Sequence, residues 1–302
     1  VNLVGHLVGI IAIAVWLYDD KFIAAISYAG SLRRNEKGEM TMSDTVYALK
    51  KLAPVIVDVH QHLGHCRVFD YDFSENDLIR NMDKKGIDAA IVQPFPGAYP
   101  QAPVTIHNRI AAMSEKYPKR IFGMCSINPH VMDRGEWCAE VERCVKQLGF
   151  VGVKLHTIGH ALQPPSHDGM MVFETANELN IPVMVHTGLG GQMSSPAMLI
   201  PGARKWPGLP IILAHSGFPT QAPDAVYVAS LLENLYLEWS WSMAGDLAWG
   251  INELGEQRSM FGSDIINNTL TELVKAEEAG LTSEQLEWYL GKSAIHVFRL
   301  PL

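Results

Sequence analysis

The chain has 302 residues, of which 48% are hydrophobic and 19% charged, with a formal charge of −8. This length suits one α/β barrel of about 250 residues, and the composition is that of a globular protein with a large core. The acidic balance, with no basic run longer than pairs such as Arg33-Arg34 and Lys84-Lys85, argues against a nucleic-acid partner, because phosphate backbones are bound by dense Lys/Arg patches.

The first segment, Val1 to Tyr18, is apolar except at Asn2 and His6. It is shorter than the ~20 residues of a membrane span. It also lacks the basic start of a signal peptide, since Lys21 is the first basic residue. The reading is an amphipathic or packing helix and no membrane partner. A second reading takes residues 1–39 as non-native, with the natural start at Met40 or Met42. Residues 1–53 are taken as an N-terminal extension and 54–302 as the barrel domain.

Eight apolar, β-branched runs follow: Val55–His62, Ala89–Pro94, Ile121–Asn128, Val151–His156, Pro182–His186, Pro210–His215, Leu235–Ser240 and Met260–Asp264. Most are continuous rather than alternating, as in strands buried on both faces of a parallel sheet. Helical patterns lie between them: Ser74–Lys85, opening with Ser74 and Asp77 in capping-box spacing, then Val104–Tyr117, Arg134–Leu148 and Met170–Leu179. Ser195–Lys205, Ala222–Asn234, Ala244–Leu254, Thr269–Ala279 and Ser283–Leu290 complete the set. Gly149, Gly208, Gly255 and Gly280 stand where left-handed helix ends are common. Pro94–Pro103 and Gln163–Gly169 read as loops. Alternation of this kind predicts right-handed βαβ units closing into a (β/α)₈ TIM barrel. An open doubly wound sheet is the rival, without GxGxxG or GxxxxGK[ST] to support its nucleotide-binding forms. Cys66, Cys125, Cys138 and Cys144 show no CxxC spacing and are read as reduced thiols of a cytoplasmic protein.

The polar residues fall at the ends of these runs. The first ends Asp58-Val59-His60-Gln61-His62, and period-two alternation places Asp58, His60 and His62 on one face, toward the barrel interior. An HxH arises by chance in roughly one such chain in two, so alone it says little. The placement recurs at His186 in the fifth run, His215 in the sixth and Asp264 in the eighth. A single buried histidine is most simply a satisfied core group. All of them at C-terminal strand ends, where barrel active sites form, point to a metal site.

The ordered set of HxH, two later histidines and a final aspartate resembles the amidohydrolase superfamily. Within it the chain is most similar to the amidohydrolase-2 branch, which includes aminocarboxymuconate-semialdehyde decarboxylase. The resemblance covers about residues 54–300, supported by Gly152-Val153-Lys154-Leu155-His156 and by Gly291-Lys292-Ser293-Ala294-Ile295-His296-Val297-Phe298. Ser293 replaces the family's usual Asn. The resemblance implies that His60, His62, His186 and Asp264 hold one divalent ion, commonly zinc, and that His215 acts beside it as acid/base. A homodimer is a further implication. Imidazoles with one carboxylate suit Zn²⁺ and leave room for a water, whose pKa the ion lowers to about 7.

Binuclear relatives bridge two ions through a lysine in the fourth run, so Lys154 leaves a second metal as the lesser alternative; Lys154 and His156 otherwise read as contacts to an anionic substrate. Asp58 is a candidate partner for a ligand histidine. His65, His160 and His167 read as surface or substrate-shaping loop residues. Trp239 and Trp241 stay open between core packing and a wall for a planar substrate.

The expected function is a metal-dependent hydrolase of a small amide, lactone or ester, with His215 and Asp264 moving protons. A non-oxidative decarboxylase of a small aromatic or unsaturated carboxylate is the alternative. A non-catalytic ligand-binding barrel is third.

Overall fold

The computed structural model describes residues 44–67, 69–96 and 101–302. The expectations for Val1–Tyr18 and for a start at Met40 or Met42 lie outside the described residues. Eight parallel strands form the barrel: β1 (Val57–Cys66), β3 (Ala89–Pro94), β4 (Ile121–Cys125), β5 (Gly152–Leu155), β6 (Val183–His186), β7 (Ile211–Ala214), β8 (Leu235–Glu238) and β9 (Ser259–Met260). They neighbour one another in chain order, and the Val59 N–H donating to the Phe261 carbonyl at 3.1 Å closes β9 onto β1. The helices between them are α2 (Glu75–Lys85), α3 (Gln101–Lys116), α4 (Arg134–Lys146), α5 (His167–Leu179), α6 (Ile200–Lys205), α7 (Ala222–Leu231), α8 (Ala244–Leu254) and α9 (Thr269–Glu278). Before the barrel, α1 (Asp44–Leu52) buries Val46 and Leu49 in the core. The chain ends with α10 (Ser283–Glu287), a π turn (Trp288–Lys292) and α11 (Ser293–Phe298). Among the described residues no helix is long and apolar enough to cross a membrane.

Alternation along the strands divides two cores. Val153, Leu155, Val183, Val185, Ile211, Leu213, Leu235 and Leu237 face outward and pack under the helices. Val57, Val59, Ala89, Ile91, Met124, Met184, Ile212 and Met260 fill the interior, plugged by Val297, Phe298 and Leu300 from the chain's end. With the interior filled in this way, the C-terminal strand ends are left for polar side chains.

The first strand departs from strict alternation. Its register against β3 shifts between Asp58 and Gln61, so one extra residue sits in β1 and later side chains change face. The expected common face of Asp58, His60 and His62 is therefore corrected. Asp58 lies opposite the interior residues Val57 and Val59, and the bulge re-aims His60 and His62. Beyond His62 the strand runs on to Cys66 and pairs antiparallel with β2 (Tyr71–Phe73), a hairpin the sequence pattern did not reveal.

Other boundaries moved for local reasons. Ser74 and Asp77 form the expected capping box. The loop expected at Gln163–Gly169 is partly helix: Ser166 caps α5, its side chain accepting the Gly169 N–H. Ser195–Lys205 breaks into the 3₁₀ turn Pro196–Leu199 and the short α6, because Pro196 and Pro201 lack the N–H that a continuous helix needs. Gly149, Gly255 and Gly280 have positive φ; Gly208 does not. The eighth run is a strand only at Ser259–Met260, since Phe261 turns its N–H to the Tyr289 carbonyl.

Candidate metal centre

At the C-terminal strand ends, His60 and His62 from β1 and Asp264 after β9 meet. Each histidine Nε2 lies 3.2 Å from Asp264 Oδ1. The His60 ring is tilted against His62 and His215, at centroid distances of 5.3 and 5.0 Å, and His186 meets His215 edge-on at 4.9 Å. Backbone strain is concentrated here: His215, Ser216, Trp241 and Asp264 all have positive φ, a conformation L-residues hold only where surrounding contacts impose it. For His215 the turn changes its direction, because simple alternation after the outward-facing Leu213 would carry it away from the interior.

The hydrogen bonds assign every ring tautomer. His60 Nδ1–H donates to Glu238 Oε2 at 2.9 Å, and His62 Nδ1–H to the Pro94 carbonyl at 3.1 Å. His186 Nε2–H donates to the Leu189 carbonyl at 2.8 Å. His215 Nδ1–H donates to Ser240 Oγ at 2.8 Å, since that hydroxyl gives its own proton to Glu238 Oε2. The lone pairs left over belong to His60 Nε2, His62 Nε2, His186 Nδ1 and His215 Nε2. His186 Nδ1 is buried and has no partner. Burial lowers the pKa of His62, of His186 to about 4, and of His215 well below the ordinary value.

Two ring lone pairs facing a carboxylate oxygen repel unless a cation lies among them. The Lys154 ammonium, 2.9 Å from His60 Nε2, and the Gln93 amide, 3.3 Å from His62 Nε2, are the donors there. The donor set that lies together, the imidazole nitrogens of His60 and His62 with the Asp264 carboxylate, fits a divalent ion, with partners fixing each ring from outside. His186 stands at the same end but outside this group.

Glu238 was not anticipated, although a lone acid inside the apolar run Leu235–Ser240 was a signal. It is fully buried and accepts from the His60 ring, the His215 and Ser240 N–H groups and the Ser240 hydroxyl. Burial pushes its carboxyl up, and these donors more than offset it, holding it at about 2. With its oxygens taken, Glu238 is a support rather than a ligand. Gly262 lets the end of β9 pass this group: a Cβ there would come within 2.6 Å of Glu238 Oε1 and 2.9 Å of His60 Cβ. Asp58 does not brace a ring. It takes the His60 and Ser263 N–H groups, each at 3.1 Å, and ties the backbone of β1 to the loop after β9.

Lys154 is buried at this end. His156 stacks on His186 at 4.4 Å and 9°. His160 is a buried brace accepting the His156 N–H at 3.3 Å, rather than a surface residue; His65 and His167 are exposed, beside Asp70 and Asp168. The two tryptophans separate. Trp241 is 39% exposed and its indole N–H donates to Asp264 Oδ2 at 2.9 Å. Trp239 continues the outward face of Leu235 and Leu237, is fully buried, and donates to Ser259 Oγ at 3.0 Å. It is core, which corrects its reading as a substrate contact. Trp239→Ala is expected to cost about 3–5 kcal/mol in chemical denaturation, and Trp241→Ala less than about 1 kcal/mol. The reverse order would contradict this division.

His107, Cys125 and Cys144 form another buried group of ligand-type atoms. The Ser126 N–H donates to His107 Nε2 at 3.1 Å, so Nδ1 carries the proton and donates to Glu140 at 3.0 Å. Cys125 and burial push the Cys144 thiol up. With neither Nδ1 nor the thiol a ready ligand, this group is a hydrogen-bonded pillar between α3, β4 and α4. Burial raises Glu140, but His107 and Arg143 outweigh it and lower it from 4.5 to about 2. A carboxylate lowered on folding stabilises fully above its unfolded value and loses that contribution as pH falls through its folded one. Urea midpoints of wild type and Glu140→Gln are therefore expected to converge from pH 4.5 down to 2; parallel curves would contradict the assignment.

The comparisons with known proteins agree with this architecture. The 2-keto-4-carboxy-3-hexenedioate hydratase of Sphingobium sp. is 30% identical over 148 residues, 43% of this chain, and the match spans 42% of that protein's length. A 2,6-dihydroxybenzoate decarboxylase solved with 2,6-dihydroxybenzoate is similar at a TM-score of 0.68 and 16% identity, covering 82% of this chain and 99% of that one. The 5-carboxyvanillate decarboxylase of Novosphingobium aromaticivorans, solved with manganese and 4-hydroxy-3-methoxy-5-nitrobenzoic acid, has a TM-score of 0.65 at 16% identity, covering 83% and 97%. At such identity these structures share the fold. The family model described as Amidohydrolase matches residues 57–300, and the chain belongs to that family.

Proposed function

We propose that the chain is a metal-dependent lyase that decarboxylates a small planar aromatic or unsaturated acid without oxidation. The observation that carries this reading is Lys154. Its side chain is buried beside His60, and among the described residues no carboxylate lies within 4.0 Å of it. Burial lowers its ammonium only to about 8, so it is mostly charged at neutral pH. Asp264 and Glu238 act on it only from beyond contact distance, and a buried cation with no carboxylate in contact is costly. A carboxylate substrate supplies one, which a neutral amide, lactone or ester does not.

In this reading His60, His62, His186 and Asp264 hold the ion. When bound, a divalent ion supplies positive charge that orients substrate oxygens and stabilises the negative charge left as CO₂ departs. Lys154 pairs with the substrate carboxylate, and His156 contacts the substrate at the rim. Trp241 offers a flat, half-exposed face to a planar ring. The bond to the carboxylate carbon breaks, its electron pair stays on the remaining carbon, and one proton must reach that carbon. His215, with Nδ1–H held by Ser240, takes up or returns a proton at Nε2, and Asp264 is the acid-base group at the open side. Lys154 is read as an ammonium that meets the substrate carboxylate rather than as a bridge to a second ion.

The ligand set suits manganese as well as zinc, and the carboxyvanillate decarboxylase that shares this fold binds manganese. The hydratase, whose name gives an unsaturated carboxylate, favours hydration as a second reading. The test is incubation of the Mn²⁺ and Zn²⁺ forms with hydroxybenzoates, carboxyvanillate and unsaturated dicarboxylates in H₂¹⁸O. Decarboxylation releases CO₂ with no ¹⁸O entering the organic product. Uptake of ¹⁸O without CO₂ would overturn it, as addition to a double bond for a hydratase or as cleavage of an added ester, lactone or amide for the hydrolase expected from sequence.

A further inference from the structure

Behind the exposed rim lies a buried polar group that neither the ion nor the substrate would touch. It consists of Asn268, at the start of α9, with Glu272 and Lys275 one and two turns on. All three are buried. Glu272 Oε1 accepts the Trp241 backbone N–H and the Asn268 side-chain N–H, both at 2.8 Å. The other amide contact of Asn268 reaches the Ser263 carbonyl at 3.2 Å, in the peptide that leads into Asp264. Lys275 pairs with Glu272 and donates to the Trp239 carbonyl, with Ser242 Oγ 3.4 Å away. The group thus grips the loop after β8 on both sides of Trp241 and the loop after β9 just before Asp264. These loops hold Trp241 at φ 68° and Asp264 at φ 66°. A bulky residue keeps such a conformation only when contacts impose it.

We infer that Asn268, Glu272 and Lys275 are positioning residues that set Trp241 and Asp264 as one unit, and that through them the Trp241 indole makes Asp264 a one-oxygen ligand. The indole N–H occupies Oδ2, and only Oδ1 faces His60 and His62. The ion's affinity is then set partly by a clamp on α9 with no ligand of its own. This rests on Asp264 being a ligand, as proposed above.

The experiment is calorimetric titration with Mn²⁺ of the full chain, with melting curves on every variant. Asp264→Ala tests the ligand reading: unchanged affinity defeats it. Trp241→Phe removes the indole N–H. Glu272→Leu with Lys275→Met removes the clamp while leaving no unpaired buried charge. Each is expected to weaken Mn²⁺ binding about 10- to 100-fold, the range of outer partners of metal ligands, with cooperative melting retained. Glu272→Gln with Lys275→Met keeps an acceptor for the Trp241 N–H, leaves no unpaired buried charge, and is expected to stay within about threefold of wild type rather than show the larger loss. Combining Trp241→Phe with the clamp pair is expected to add little, because they act through one contact. If Asp264→Ala loses the ion while Trp241→Phe and the folded clamp variant bind as wild type, the clamp inference is overturned and the ligand reading stands. Fully additive losses would also overturn it. Should the clamp pair fail to fold, Asn268→Ala and Trp241→Phe carry the same test.

Discussion

Lys154→Met is expected to lower kcat/KM on an aromatic carboxylate by about 10²–10³-fold, the scale of losing one partner of a desolvated charge pair. The same variant is expected to keep its metal and to be as stable as wild type or more so. Lys154 reaches the centre from the interior face of β5, between the outward-facing Val153 and Leu155. Burial lowers its ammonium from 10.5 to about 8. A basic group lowered on folding makes protonation oppose folding at neutral pH, and an apolar chain of similar length removes that penalty. Activity and stability therefore move in opposite directions. If Lys154→Met loses stability in parallel with activity, the lysine is a structural brace for His60. If it keeps activity on a carboxylate, the substrate assignment is wrong.

Glu238→Gln is expected to weaken metal binding about 10–100-fold and to destabilise the chain by about 1–3 kcal/mol. The carboxylate accepts four donors on two oxygens. An amide turns one of those acceptors into a donor, and N–H then faces N–H whichever way the amide lies. With His60 Nδ1–H no longer fixed, the ring loses the tautomer that presents Nε2 to the centre. Titration with Mn²⁺ and urea denaturation of the variant check both parts. Wild-type affinity in Glu238→Gln would mean that the tautomer is set by another contact.

Much of the barrel was legible because its strands are short, apolar and spaced by helical patterns, signals that survive without knowledge of packing. His60, His62, His186, His215 and Asp264 were legible from the same rhythm, as polar residues ending apolar runs, and the fold brings all five to one end. What the sequence hid depends on local departures from periodicity. The bulge in β1 reverses the face of His60 and His62 relative to Asp58, which keeps simple alternation against Val57 and Val59. The left-handed turns at His215, Trp241 and Asp264 re-aim side chains that simple alternation would send elsewhere. Trp239 kept strand periodicity and so belongs to the outer core, whereas Trp241, two residues on, does not. Glu238 stayed hidden because its role is to hold other side chains, and its three partner residues come together only when the closed barrel brings the ends of β1, β7 and β8 to one place.

The central claim is that the lone pairs at the strand ends converge on one divalent ion. Elemental analysis after reconstitution with Mn²⁺ or Zn²⁺ and desalting tests it most directly. The expected result is about one ion per chain in wild type, falling to background in His60→Ala with the fold retained by circular dichroism. A folded wild type that holds no ion, or a His60→Ala variant that keeps it, would contradict the account.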